Sequence, residues 1–173
     1  KNMNAYQNLN SQLDEITIKD IHSGYDNNRF TVKELVSNYI DRIKNIDRSG
    51  PLLNSIIVIN PDAFAIADSL DKIHMLGKTK GPLFGIPVLL KDNIDVKGDM
   101  PTTAGSRILK DSFPLRDSWV AKKLKASGAI ILGKTNLSEW ANYRSSYSSS
   151  GWSGIAGQTK NPYVLDRNPC GSS

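Results

Sequence analysis

Two short segments that are apolar at every position, Ile56–Ile59 and Ala129–Leu132, predict an α/β protein, because helical patterns surround them. A strand with no polar position has no face to offer water, so both segments imply a sheet covered on its two sides. The second of them follows a helix pattern directly, giving the strand–helix–strand rhythm of that fold class.

The elements follow in order. Residues 1–30 show no clear pattern. The first helix starts at Thr31, where Thr31-Val32-Lys33-Glu34 is a capping box, and Val36, Tyr39, Ile40, Ile43 and Ile46 follow at helical spacing. Ser49-Gly50-Pro51 stops it. After the Ile56–Ile59 strand a second helix is expected, with Asn60 as its cap, Pro61 in its first turn and Gly77 just past its end. Its apolar face is Phe64, Ala67, Leu70 and Ile73. Gly85–Asn93 reads as a strand that runs through Ile86-Pro87-Val88-Leu89-Leu90 into Lys91-Asp92-Asn93. A loop rich in Thr, Gly and Pro spans 96–117. Ser118 then caps a helix that buries Val120 and Leu124 and ends at Gly128, before the Ala129–Leu132 strand. Asn136 and Glu139 frame one more helix start, followed by the low-complexity stretch Ser145–Ser150.

Composition bounds the function. The chain has 173 residues, of which 39% are hydrophobic and 23% charged, which is ordinary for a globular domain and excludes a collagen-like, disordered or disulfide-scaffold chain. Apolar runs no longer than Ile86–Leu90 are too short to span a bilayer. The 22 basic and 17 acidic residues give +5, with a pI near 9.3. The basic residues are scattered among acids, and Lys78–Lys80 and Lys122–Lys125 lack the interleaved aromatics of a single-strand binder. A solvated face is the simpler reading, and nucleic acid is not an expected partner. The lone cysteine, Cys170, forms no internal disulfide. A sequence that begins at Lys1 and stops at Ser173 inside a Gly-Ser-Ser turn reads as a piece of a longer chain. A cytoplasmic location is expected, though a removed signal peptide is compatible with the same sequence.

Few residues carry chemistry. His22 and His74 stand apart from any Asp, Glu or Cys at ligand spacing, so both read as boundary residues and a zinc site is not expected. No phosphate-binding glycine motif occurs. Lys91 differs, because it ends an apolar strand beside short polar residues, where α/β proteins place their sites. A lysine there is commonly a strand terminator whose head group reaches water. If enclosed, its ammonium form is disfavoured. An unperturbed lysine is only about 0.04% neutral at pH 7, whereas one shifted to a pKa of about 7–8 could act as a base. The second feature is Asn168-Pro169-Cys170-Gly171-Ser172-Ser173, a turn able to hold a hydroxyl in one direction. A lysine base and a distant turn serine together suggest a serine hydrolase without histidine.

These segments also carry a family resemblance. Gly81-Pro82-Leu83-Phe84-Gly85-Ile86-Pro87-Val88-Leu89-Leu90-Lys91-Asp92-Asn93 resembles the lysine motif of the amidase signature family. Thr103-Ala104-Gly105-Ser106, Gly133-Lys134-Thr135-Asn136-Leu137-Ser138-Glu139-Trp140 and Gly157-Gln158-Thr159-Lys160-Asn161-Pro162 match its next blocks in order. Pro169-Cys170-Gly171-Ser172-Ser173 is similar to the opening of its Gly/Ser-rich signature. The resemblance implies the N-terminal third of the amidase signature fold, a mixed β-sheet sandwiched between helical layers. It divides the chain into an N-terminal extension, 1–30, and the N-terminal part of a single amidase signature domain, 31–173.

The activity it implies is hydrolysis of an amide C–N bond by a Ser–cis-Ser–Lys triad through an acyl-enzyme, with no cofactor and no metal. By motif position Lys91 is the catalytic lysine and Ser172 the cis-serine. The family's nucleophile lies farther along, in an Asp/Gly-Gly-Ser turn whose backbone N–H groups form the oxyanion hole. The 173 residues by themselves are therefore expected to be inactive. Leu137-Ser138-Glu139-Trp140-Ala141-Asn142-Tyr143-Arg144 and Gly151-Trp152-Ser153 are similar to the peptide-amidase branch, which implies C-terminal peptide amides or other small amides as substrates. The amidotransferase branch usually has Asp-Glu-Phe and Met-Gly there. Trp140 and Trp152 fit either core packing or a place near the pocket. The alternatives are a catalytically inactive protein of the same fold and a tRNA-dependent amidotransferase subunit.

Overall fold

Helix begins earlier in the chain than the sequence announces. In the computed structural model, which describes residues 13–78 and 81–172, helix α1 (Ile18–Asp26) is started by Thr17. The Thr17 side chain accepts from the Asp20 N–H, and the Asp20 carboxylate accepts from the Thr17 N–H. This reciprocal cap satisfies two donors that a helix start leaves orphaned. Ile21 and Tyr25 of α1 share one apolar cluster with Phe30, Val32 and Leu35, so residues 13–30 contribute to the same core as the helices and strands that follow. Residues 1–12, Lys80 of the Lys78–Lys80 pair and Ser173 lie outside the described residues.

Helix α2 (Val32–Arg42) has the expected box, Thr31 accepting from Glu34 N–H and Glu34 accepting from Thr31 N–H. The Asp71 carboxylate adds a second cap by accepting from the Val32 and Lys33 N–H groups at 2.8 and 3.1 Å. A π-helical turn, Ile43–Asp47, carries the chain toward the Ser49-Gly50-Pro51 stop. Strand β1 (Ile56–Ile59) follows as expected. Helix α3 (Ala63–Met75) begins later than the Asn60-Pro61 reading, because the Asn60 carboxamide accepts from Asp62 N–H and so makes a turn instead of the cap. Its buried face is Ala63 and Ala67, with Ile66, Leu70 and Ile73 packed alongside. Phe64, expected inside, is exposed. Helix α2 lies directly against α3, and the fully buried positions of α3 are two of its alanines, Ala63 and Ala67.

Strand β2 (Pro87–Lys91) leads into the long loop, which holds a single short 3-10 turn at Arg107–Leu109. Ser118 caps helix α4 (Trp119–Ala126) by accepting from Ala121 N–H. Ala121 is the fully buried residue of α4 and Leu124 packs beside it, whereas Val120 is turned outward, contrary to the periodicity. Lys123 and Lys125 of the second basic cluster hold the Trp119 ring and the Asp117 carboxylate, as a solvated face would. Strand β3 (Ile130–Thr135) is buried from Ile130 to Lys134. A small hairpin of β4 (Trp152–Ser153) and β5 (Gly157–Gln158) follows.

The main sheet has the order β1–β3–β2, with β1 antiparallel and β2 parallel to the central strand. Ile130 and Leu132 face one cluster, with α1, α2 and α3. Ile131 faces the other, with Leu90, Val96, Met100 and Ala121 of α4. This is the mixed sheet between helical layers that the resemblance implies. Gly133 makes the close pairing possible: a Cβ there would stand 2.3 Å from the Val58 carbonyl oxygen of β1. Gly133→Ala must therefore displace β1 and is expected to cost about 1–3 kcal/mol. Urea unfolding of the protein checks this, and an unchanged midpoint contradicts it.

Candidate active site

Lys91 is the last residue of β2 and pairs in register with Thr135, the last residue of β3. Its half-buried head group leaves the strand end and meets a residue 81 positions away: Lys91 Nζ is hydrogen-bonded to Ser172 Oγ. The two residues singled out from the sequence are thus brought together. The loop carrying Ser172 is tightly turned, with Cys170 and Gly171 both left-handed at φ 60° and 66°. Cys170 N–H donates to the Asn168 side chain at 3.0 Å. No described peptide bond is cis, so for Ser172 "cis-serine" names a motif position.

Behind the strand ends lies a buried polar network that the sequence motifs did not single out. Lys134 and Asp92 are both fully buried, with Nζ 3.8 Å from Oδ1. Lys134 also donates to the Ile94 carbonyl at 2.7 Å and to Thr102 Oγ1 at 2.9 Å. Asp92 Oδ2 accepts from the Thr103 hydroxyl and N–H, which ties the loop after β2 back to the strand end. Burial pushes the Asp92 carboxyl above the usual carboxylate range, against the opposing pull of Thr103 and Lys134. Burial likewise pushes the Lys134 ammonium down, against Asp92. Asn136, also buried, joins three segments. Its amide donates to the carbonyl of Gly157 and to Thr159 Oγ1, while its carbonyl accepts from Ser153 Oγ at 2.7 Å and from Leu137 N–H. The available signal is a polar residue two to four positions beyond an apolar run, as Asp92 is to Leu90 and Lys134 and Asn136 are to Leu132.

After β3 the structure departs from the expected helix. Glu139–Asn142 forms a 3-10 turn in which Trp140, Ala141 and Asn142 are left-handed, with φ of 51°, 54° and 65°. Left-handed backbone costs about 1–2 kcal/mol per residue. One tertiary and one local hydrogen bond hold it here: Trp140 N–H donates to the Ala104 carbonyl and Ala141 N–H to the Ser138 carbonyl three residues earlier. Trp140 and Trp152 are not core residues; both line one cavity of about 460 Å³, together with Glu139, Arg144 and Gln158. Trp140 also borders a second cavity of about 410 Å³, reached by Asn93, Thr102 and Leu137. His22 and His74 are half-buried, as boundary residues, and each places Nε2 3.0 Å from a backbone carbonyl, of Phe84 and Tyr25 respectively. Among the described residues no group of three His, Cys, Asp or Glu side chains could hold a metal ion, and no helix is long and apolar enough to cross a membrane.

Comparison with known proteins bears on this geometry directly. The Amidase family model matches residues 34–173. The chain belongs to the amidase family. It is 47% identical over 163 residues to a probable amidase of Arabidopsis thaliana, covering 93% of this chain and 31% of that protein. It is 41% identical over 162 residues to a glutamyl-tRNA(Gln) amidotransferase subunit of Alkaliphilus metalliredigens, covering 94% and 31%. The native peptide amidase from Stenotrophomonas maltophilia superposes with a TM-score of 0.88 at 44% identity, over 91% of this chain and 32% of that one. An amidase family protein from Bacillus anthracis superposes at 0.92 with 39% identity, over 99% and 34%. The chain thus spans about a third of the length of the amidases it matches.

Within this amidase fold the Lys134–Asp92 pair has a testable weight. Removing one partner of a buried pair strands the other, which costs about 3–5 kcal/mol. Lys134→Met is therefore expected to destabilise by that amount, and Asp92→Asn added to it is expected to cost much less than the two single losses combined. Chemical denaturation of the four proteins reads this, and strictly additive losses contradict it.

Proposed function

We propose that the protein carrying this chain hydrolyses amide C–N bonds, with Lys91 as base, Ser172 as proton relay and a serine beyond residue 173 as nucleophile. The observation that carries the reading is the direct contact between Lys91 Nζ and Ser172 Oγ, made at a strand end within a family of amidases. With Lys91 in its neutral amine form, the nucleophilic hydroxyl gives its proton to Ser172 Oγ as Ser172 passes its own to Lys91 Nζ, and the freed oxygen attacks the amide carbonyl. Amines leave poorly unless protonated, so the proton returns from Lys91 through Ser172 to the departing nitrogen, leaving an acyl-serine. Water, deprotonated over the same path, releases the acid and restores the serine. The 173 residues contribute the relay and not the nucleophile, and in this reading are inert by themselves.

The substrate class we favour is C-terminal peptide amides or other small amides. It is supported by the 44% identity to the S. maltophilia peptide amidase and by the tryptophan-lined cavity close to Ser138. The reading keeps the cytoplasmic location expected from the sequence. A second reading, an amidotransferase subunit, is favoured by the 41% identity to the A. metalliredigens protein.

Ammonia release from peptide amides by the protein with its complete amidase domain tests the first reading. Lys91→Ala is expected to lower it by about 10²–10⁴-fold, the usual cost of losing a general base. Activity within about threefold of wild type sinks the lysine-base mechanism. Ammonia release seen only with partner subunits and charged tRNA favours the second reading.

A further inference from the structure

The two members of the relay come from distant parts of the chain and must share a reference if their contact is to be reproducible. Lys91 takes its position from β3 through pairing with Thr135. Ser172 lies on a loop without regular structure, two of whose residues are left-handed, and such a loop has little stiffness of its own. Three residues beyond Thr135 stands Ser138, fully buried and bonded in three directions. Its N–H donates to the Ser172 carbonyl at 3.0 Å. Its hydroxyl donates to the Gly171 carbonyl at 3.2 Å and accepts from the Gly151 N–H at 2.7 Å.

A hydroxyl has one proton to give and lone pairs to receive, and here both capacities are used. Gly151 closes the clamp from the other side: it is left-handed at φ 76°, and a Cβ there would stand 2.6 Å from Pro169 Cγ. Its backbone therefore lies against the start of the Ser172 loop while its N–H is held by Ser138. We propose that Ser138 is the positioning residue of the relay, holding Ser172 Oγ at the Lys91 head group by clamping the 169–172 loop to the exit of β3. The inference rests on the relay reading above. Ser138 touches neither Lys91 Nζ nor Ser172 Oγ through its hydroxyl, and acts only by fixing the backbone that carries Ser172. An error of about 1 Å in such placement can cost on the order of 10²-fold in rate.

The test is a double-mutant cycle in the protein with its complete amidase domain, with rates expressed per folded molecule. Ser138→Ala is expected to lower kcat by about tenfold or more while KM stays within about twofold. Ser138→Cys keeps nearly the same bulk but is a weak hydrogen-bonding group, so it should fall in the same direction and serves if the alanine variant does not fold. In the Lys91→Ala background the Ser138 change should cost almost nothing further, since the relay it positions is already broken. Intact turnover in Lys91→Ala defeats the relay reading itself. A large loss in Lys91→Ala, combined with an equal Ser138 effect in both backgrounds or no Ser138 effect at all, overturns the positioning role alone.

Discussion

The burial of one strand governs the rest of the structure. β3 is enclosed from Ile130 to Lys134 and pairs along both edges, so its backbone groups are satisfied by neighbours on either side and its apolar side chains by helical layers above and below. A strand so constrained is a rigid ruler. Lys91 is placed by its register against β3, and Ser172 is held by a residue just past the end of β3. The chemistry of the site thus depends on a segment that contributes no atom to the proposed reaction. The absence of a side chain at Gly133 belongs to the same constraint, because it allows β1 to approach and complete the enclosure.

Polar groups beneath a site carry a desolvation cost, and this fold places several there. Lys134, Asp92, Thr103, Asn136 and Ser138 are all buried, yet almost every donor and acceptor they own is matched. Asp92 Oδ1 has no hydrogen-bond partner and lies 3.8 Å from the Lys134 ammonium. A network of this kind is not in itself a large source of net stability, since apolar replacements of equal shape often match a buried pair in stability. What apolar residues cannot do is tie a named loop to a named strand end. The Asp92–Thr103 bonds do so on one side of the site and the Ser138 bonds on the other.

Much of this is legible in the residues. The α/β class, both apolar strands, the Thr31 cap and the Ser118 cap follow from local patterns, because each is decided within a few residues. Lys91 and Ser172 are visible as candidates, one by its place after an apolar run and the other by its turn. Their contact is not, since nothing local links positions 81 residues apart. Periodicity misplaces Phe64 and Val120 for a related reason: the neighbouring helix, or the layer each one faces, selects which side is buried, and in both helices alanine fills the tightest contact. Thr17-Ile18-Lys19-Asp20 is a cap that is easily missed, because its fourth residue is Asp where the usual box has Glu or Gln, and a glycine interrupts the buried face of the helix that follows. The left-handed turn at Trp140–Asn142 has little such signal, as Trp and Ala rarely adopt left-handed backbone and the Ala104 carbonyl that accepts from Trp140 N–H is distant in sequence.

The central claim is that a strand-anchored scaffold joins Lys91 to Ser172 as one proton path. The most direct measurement is the rate of covalent labelling of the protein with its complete amidase domain by a serine-reactive fluorophosphonate, compared between wild type and Ser172→Ala. A relay through Ser172 predicts labelling slower by about 10²-fold or more, because the nucleophile then has no route for its proton. Labelling of the Ser172→Ala protein within about threefold of wild type would contradict the account.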